Sequence, residues 1–262
     1  MKLSISNIGW SNENDLAVYE IMKNEGFEGL EIAPTRIFPE KPYDKIEEAG
    51  RWADGIKTEY GLVISSMQSI WYGRNEKLFG TEQERSVLIE YTKKAIDFAE
   101  RIGAGNLVFG CPRNRIKPEG ADEDIAVRFF KELGDYAAAH NTIVGMEANP
   151  PIYNTNYIND TARALDLIEM VGSDGFKLNL DMGTMVENRE DISLLKGKEQ
   201  LIGHVHISEP GLKPIVPRKI HKDLCELLNS YGYDGYISIE VGRQDDISEL
   251  RKMMKYVEGI LG

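Results

Sequence analysis

Eight short apolar or β-branched runs, each followed by a longer polar and amphipathic stretch, constrain this chain more than anything else in its sequence. The runs are KLSISNI (2–8), FEGLEI (27–32), LVISSMQ (62–68), NLVFG (106–110), TIVGMEA (142–148), FKLNLD (176–181), LIGHVHI (201–207) and YISIEV (236–241). Between and after them, residues 12–25, 44–59, 82–102, 122–140, 158–171, 217–231 and 247–261 place apolar side chains three and four apart. That spacing is the period of a helix with one buried face. Thr81 with Glu84 three residues on predicts a capped helix start. Gly26, Gly61, Gly103, Gly172 and Gly232 each close a helical stretch ahead of a strand. Glycine suits that position because the chain there often turns through positive φ. Between the sixth and seventh runs the pattern is weakest, and residues 187–196 offer only a short helix. Eight such units in 262 residues predict an α/β protein, a (β/α)₈ TIM barrel forming a single domain over 1–262. A doubly wound open sheet is the alternative. It lacks the G-x-G-x-x-G that a dinucleotide fold places after its first strand.

Composition narrows the class of partner. The net charge is −12, from 31 basic and 43 acidic residues, which argues against nucleic acid and against an anionic membrane as general partners. An anionic small molecule stays open, since it needs only a local basic pocket. The hydrophobic content of 42% and charged content of 28% are those of an ordinary soluble domain. Cys111 and Cys225 are too few for a disulfide framework and read as reduced thiols. MKLSISNIGW has no signal-peptide core, and no apolar run approaches the roughly 20 residues of a membrane span. The expectation is a cytoplasmic protein, mature from its first residue, with homo-oligomerisation left open.

Four polar residues fall at the ends of the last four runs: Glu147 in IVGMEANP, Asp181 in LNLDMG, His206 in GHVHISEP and Glu240 in ISIEVG. Barrel topology brings consecutive strand ends together around one mouth. Three carboxylates there repel one another, and burial in an apolar setting makes that worse. A divalent cation resolves the conflict. Three carboxylate oxygens with one imidazole nitrogen suit Mn²⁺, Mg²⁺ or Co²⁺ better than a thiolate-type zinc site. Taken alone, Asp181 reads as a helix cap. His204 and His206 share one strand face, and His206, nearer the C-terminal end, is assigned to the metal. His204 is assigned to packing or to support from behind.

These stretches, together with GFEGLEI (26–32), resemble the xylose-isomerase-like barrel superfamily, and within it the sugar phosphate isomerase/epimerase family, ketose 3-epimerases included. The likeness spans essentially the whole chain. It implies a metal-dependent carbohydrate isomerase or epimerase with one divalent ion, Mn²⁺ first and Mg²⁺, Co²⁺ or Zn²⁺ also compatible. It further implies that Glu147 and Glu240 bind the metal and act as the two acid/base groups. The chemistry agrees. A metal on the carbonyl side stabilises an enediolate, and a carboxylate on each side can take and return the proton.

The chain departs from the ketose 3-epimerases at two substrate anchors. Thr184 stands where they have a histidine, and Leu212 where they have an arginine. The expected substrate is therefore a modified sugar, phosphorylated, carboxylated or otherwise substituted. Trp71, Arg113, Asn149, Glu209 and Arg243 are the expected substrate contacts, with Trp10, Tyr72, Asn154 and Asn156 as further residues near the mouth. For all of these, ordinary packing, salt bridging or turn chemistry is the competing account. Glu31 and Gln68 end the second and third runs, and Lys213, Arg218 and Lys219 read as solvated surface. Three other functions remain on the same site: a lyase or dehydratase, an AP endonuclease, and a non-catalytic binding subunit. The endonuclease needs many histidines, and this chain has 4.

Overall fold

The computed structural model describes residues 1–261. Eight strands are present: β1 (Lys2–Ser6), β2 (Gly29–Ile32), β3 (Val63–Met67), β4 (Asn106–Phe109), β5 (Ile143–Met146), β6 (Phe176–Asp181), β7 (Ile202–Ile207) and β8 (Tyr236–Ile239). They form a closed barrel in chain order. All pairings are parallel, and β1 closes on β8 with Lys2 opposite Tyr236 and Ile5 opposite Ile239. The helices are α1 (Asp15–Asn24), α2 (Pro34–Ile37), α3 (Ile46–Tyr60), α4 (Glu82–Ile102), α5 (Asp124–Ala139), α6 (Thr161–Val171), α7 (Met182–Asn188), α8 (Lys219–Tyr231) and α9 (Ile247–Leu261). Among the described residues no helix is long and apolar enough to cross a membrane.

The predicted stops and starts have clear causes. Thr81 accepts from the Glu84 backbone at 3.2 Å, and Glu84 reaches back to the Thr81 amide at 2.8 Å, which closes the capping box of α4. Gly103 ends the same helix at φ 76°, a conformation that a side chain would strain.

Two elements differ from expectation. The β6–β7 connection carries its helix at Met182–Asn188, directly off the strand, and not within 187–196. The Asp181 side chain caps the first turn through the Thr184 amide at 2.7 Å, so the helix starts where the strand stops. Residues 192–195 form only a 3₁₀ turn. The four-residue α2 after β2 was not anticipated, because one turn is too short to show a period.

The barrel wall separates two kinds of interior. Outside it, Phe130 of α5 lies against Phe109 of β4 and Phe176 of β6, with ring centroids 4.9 and 4.8 Å apart. Inside, the lumen is hydrogen-bonded rather than apolar. Ser4 meets Ser65 at 2.6 Å, and Asn106 reaches Ser66 at 3.1 Å and Asn179 at 3.3 Å. Gly145 makes room for this network. A Cβ there would stand 2.4 Å from Asn106 Oδ1 and 3.1 Å from Asn179 Cβ.

Candidate active site

The polar lumen leads up to the strand ends. Asp181 is the last residue of β6 and His206 the penultimate residue of β7. Glu147 and Glu240 stand one residue beyond β5 and β8. Because β5 to β8 are consecutive in the barrel, the four share one arc of its rim. One potential ligand atom from each lies within 4.8 Å of all the others.

His206 is the hub, with no solvent exposure. Its Nδ1 lies 3.1 Å from Glu147 Oε1 and 3.4 Å from Glu240 Oε2, and its Nε2 lies 2.9 Å from Glu31 Oε2. Each carboxylate is held by a donor from elsewhere. Asn179 Nδ2 donates to Glu147 Oε1 at 3.0 Å, and Asn149 Nδ2 to Glu147 Oε2 at 2.9 Å. Gln68 Nε2 donates to Glu240 Oε1 at 3.0 Å while also reaching Ser6 and Glu31. The Ser208 hydroxyl donates to Asp181 Oδ1, and Thr184 donates to Oδ2 from both its amide and its hydroxyl. Asp181 is thus a helix cap and a member of the cluster at once. The two readings of that residue were never exclusive.

Burial shapes the charges. It raises the Glu240 carboxyl from 4.5 to about 7, with His206 opposing and Glu147 and Asp181 adding to the rise. Asp181 is also raised, first by burial and then by Glu147. His206 is held well above its ordinary value. Burial alone would lower it, but Glu31 and Glu240 outweigh that. Burial would likewise raise Glu31, yet the two histidines hold it well below the usual carboxylate range.

Two carboxylates therefore converge on one imidazole nitrogen, which can carry one proton at most. A divalent cation fits this donor set, with oxygen-rich ligands and one nitrogen. Glu31, on the far nitrogen, would fix the tautomer by accepting the Nε2 proton, which leaves the Nδ1 lone pair facing the cluster.

A pH test follows for the metal-stripped protein. A carboxyl whose folded pKa is raised stabilises the fold fully below its ordinary value and loses that contribution as pH climbs through the folded value. For Glu240 the window runs from 4.5 to about 7. Wild type should lose stability relative to Glu240→Gln across that window, at about 1.4 kcal/mol per unit of retained shift. Urea melts of both proteins at its two ends check this, and a constant difference between them contradicts it.

A cavity of about 180 Å³ opens above the cluster. Glu147, Asn149, Asp181, Glu240, Gln68 and Ser208 give it a polar floor, and Val108, Pro112, Tyr153 and Leu212 line it as well. Gly110 keeps it open, since a Cβ there would come within 2.9 Å of Glu147 Oε2.

Of the expected substrate contacts, only Asn149 lines this cavity. Trp71 is buried beneath it, edge-on to Phe109 and Phe129 and donating to Thr92 at 2.8 Å, so the expected aromatic wall is core packing. Trp10 is buried too and donates to Asp15. The carboxylate of Glu209 is occupied by Arg218, at 2.7 and 2.6 Å. That pairing gives Arg218 a partner that the surface reading did not foresee, though its side chain stays partly exposed. Arg113 and Arg243 are exposed and lie outside the cavity lining, while Tyr72 is 71% exposed. Asn154 closes a turn at φ 58°, and Asn156 pairs with the Lys117 backbone, so turn chemistry accounts for both.

Sequence reasoning missed Tyr153, which stands beside the asparagines it singled out, and Ser208, two residues after the histidine. It also missed Arg115. Within RNRIK that residue reads as one of several surface bases, yet it has no solvent exposure. Burial draws its pKa down to about 10.

A closed parallel barrel with a buried carboxylate–imidazole cluster at the C-terminal ends of its strands defines a class of metal-compatible barrel proteins. The chain belongs to the xylose isomerase-like TIM-barrel family, whose model matches residues 19–257. No curated protein matches it by sequence. Among solved structures it is similar to 3-keto-D-glucoside 4-epimerase from E. coli, with 20% identity, 99% of each chain covered and a TM-score of 0.77. D-psicose 3-epimerase from Clostridium cellulolyticum H10, solved with D-tagatose, gives 17% identity over 100% of this chain and 99% of that one, with a TM-score of 0.79. An AP endonuclease, family 2, from Brucella melitensis gives 18% identity over 100% and 97%, with a TM-score of 0.72. At these identities the likeness establishes the fold, and the fold alone does not choose the reaction.

Proposed function

We propose that this protein is a divalent-metal-dependent isomerase or epimerase of a small carbohydrate, with Glu147 and Glu240 as its acid/base pair. One observation carries the reading. The two carboxylates enter a single small cavity from β5 and β8, three strands apart in the closed barrel, with Asp181 and His206 between them. Glu147, Asp181, His206 and Glu240 would hold the ion, which when bound supplies Lewis-acid stabilisation of negative charge on a substrate carbonyl oxygen.

The protein's own groups do the rest. One carboxylate takes the proton from the carbon beside the carbonyl, and the electron pair moves toward the carbonyl oxygen. The other carboxylate returns a proton from its own side. Asn149 and Gln68 keep the two carboxylates aimed, at 2.9 and 3.0 Å. The cavity lies below the roughly 300–1,000 Å³ of drug-sized pockets, which favours a small polyol chain.

Leu212 lines the cavity and donates nothing to a hydroxyl, and the Thr184 hydroxyl is already engaged with Asp181 and the Ala148 carbonyl. A substituted sugar therefore remains the preferred class, with a charged group reaching past Pro112 toward Arg113. The net charge of −12 weighs against a nucleic-acid substrate. A cytoplasmic setting goes with the two cysteines, neither of which is in a disulfide.

The test is turnover in D₂O with Mn²⁺ over a panel of free ketoses and anionic sugars. One deuterium at the reacting carbon with otherwise unchanged mass supports the proposal. Loss of water from the product would make the protein a dehydratase, and product without deuterium would point to a hydride shift or another chemistry and count against the two-carboxylate mechanism. If free ketohexoses turn over within tenfold of the best anionic sugar, the substituted-sugar preference is wrong.

A further inference from the structure

Arg115 presents an unusual arrangement directly behind Glu147. It follows a 3₁₀ turn after β4 and is completely buried. A buried guanidinium is costly unless it is paired, and paired usually means a carboxylate. Here all four polar contacts are to neutral acceptors: the Glu147 carbonyl at 2.8 Å, Asn149 Oδ1 at 2.9 Å, the Ile158 carbonyl at 3.3 Å and the Met146 sulfur at 3.3 Å. Its Nε has no hydrogen-bond partner among the described residues.

The contact with Asn149 matters most. An amide side chain has an acceptor end and a donor end that are nearly the same shape. The guanidinium can only donate, so it fixes Asn149 with oxygen toward Arg115 and nitrogen toward Glu147 Oε2, at 2.9 Å. The second prong of the fork holds the Glu147 backbone. Side chain and main chain of Glu147 are thus set by one cation, at one remove from the cavity.

We infer that Arg115 is a positioning residue: through Asn149 it aims the Glu147 carboxylate and so sets how tightly the rim cluster holds a divalent ion. The inference rests on the metal reading proposed above. It competes with a purely structural role, in which Arg115 only ties the loop after β4 to the loop after β5 through the Ile158 carbonyl. The two roles separate on metal affinity. A loop tie lowers stability and leaves affinity alone, whereas a positioning residue shares its effect with Asn149.

The experiment is Mn²⁺ titration of the metal-stripped, full-length protein, with free Mn²⁺ read by electron paramagnetic resonance. The variants are Arg115→Met, Arg115→Lys, Asn149→Ala and the Arg115→Met, Asn149→Ala double variant. Removing a group that orients a metal ligand typically weakens binding about 10–100-fold, and Arg115→Met and Asn149→Ala should each fall in that range. The double variant should be no more than about threefold weaker than Asn149→Ala, because both changes remove one effect. Arg115→Lys keeps the buried charge and should fold, but a point ammonium cannot span Asn149 Oδ1 and the Glu147 carbonyl as a planar fork does. It too should bind about tenfold more weakly, which keeps the test alive if Arg115→Met does not fold. Wild-type affinity in Arg115→Lys, or losses that multiply in the double variant, would overturn the inference while leaving the metal reading intact. A wild-type protein that binds no divalent ion would overturn both.

Discussion

Glu147→Gln and Glu240→Gln, each compared with wild type at equal Mn²⁺ occupancy, should lose turnover on the order of 10²-fold or more, the range for removing a general acid or base. Glutamine keeps the shape and one oxygen but cannot take a proton. The two oxygens of Glu147 already have different settings. Oε1 faces His206 at 3.1 Å, and Oε2 faces Asn149 and the open space that Gly110 leaves. On the function proposed above, the first oxygen would hold the ion and the second would meet the substrate. Matched occupancy is essential, since both changes also remove a ligand charge. Either variant retaining turnover within tenfold of wild type would take that residue out of the acid/base pair.

The second large effect concerns the ion itself. A ligand that binds only the folded state stabilises it by about 2.7 kcal/mol at a concentration 100 times its Kd. Wild type should therefore melt higher as Mn²⁺ is added. The Asp181→Ala, His206→Ala double variant should carry no metal by elemental analysis and show no such rise. Its metal-free form will also be weaker than wild type, for reasons unrelated to metal. Asp181→Ala removes the cap of α7, a loss of about 1 kcal/mol, and His206→Ala leaves Glu31 buried without its 2.9 Å partner. Asp181→Asn separates these effects, because asparagine still caps a helix. It should keep most of the metal-free stability and lose most of the Mn²⁺-dependent gain. Undiminished metal content in the double variant would remove both residues from the ligand set.

The barrel was legible because its period is written twice, once in the strand–helix alternation and once inside the strands. Runs such as LNLD and HVHI alternate polar and apolar residues, although strands of parallel sheets usually read as continuous apolar segments. That alternation is the hydrogen-bonded lumen seen from the sequence. The four rim residues were legible separately, as polar groups that each follow an apolar neighbour at the end of a run.

The substrate side was much less legible. Trp71 follows β3 as a wall residue would, but its indole nitrogen finds Thr92 on α4 and the ring turns into the core. Glu209 and Arg218 are nine residues apart across a loop, and only the folded loop makes them partners. Arg115 gave no periodic signal, because a single buried cation in an irregular segment looks like any surface base. The β6–β7 helix was misplaced because it is only seven residues long and starts directly off the strand, which leaves too short a stretch to show a period, although Asp181 did read as a cap.

The polar lumen has a consequence for how the protein is made. The strands that carry the four rim residues all lie in the second half of the chain, while Glu31, Gln68 and Arg115 lie in the first. Glu31 and His206 are separated by 175 residues. At synthesis rates of about 5–20 residues per second, Glu31 leaves the ribosome roughly 10–35 seconds before its partner. Until β7 arrives, only the neutral Gln68 amide of the early strands reaches that carboxylate, at 3.3 Å, and neither histidine is there to balance its charge. Burying Glu31 at its native place therefore costs less once the histidine strand has been made than before it.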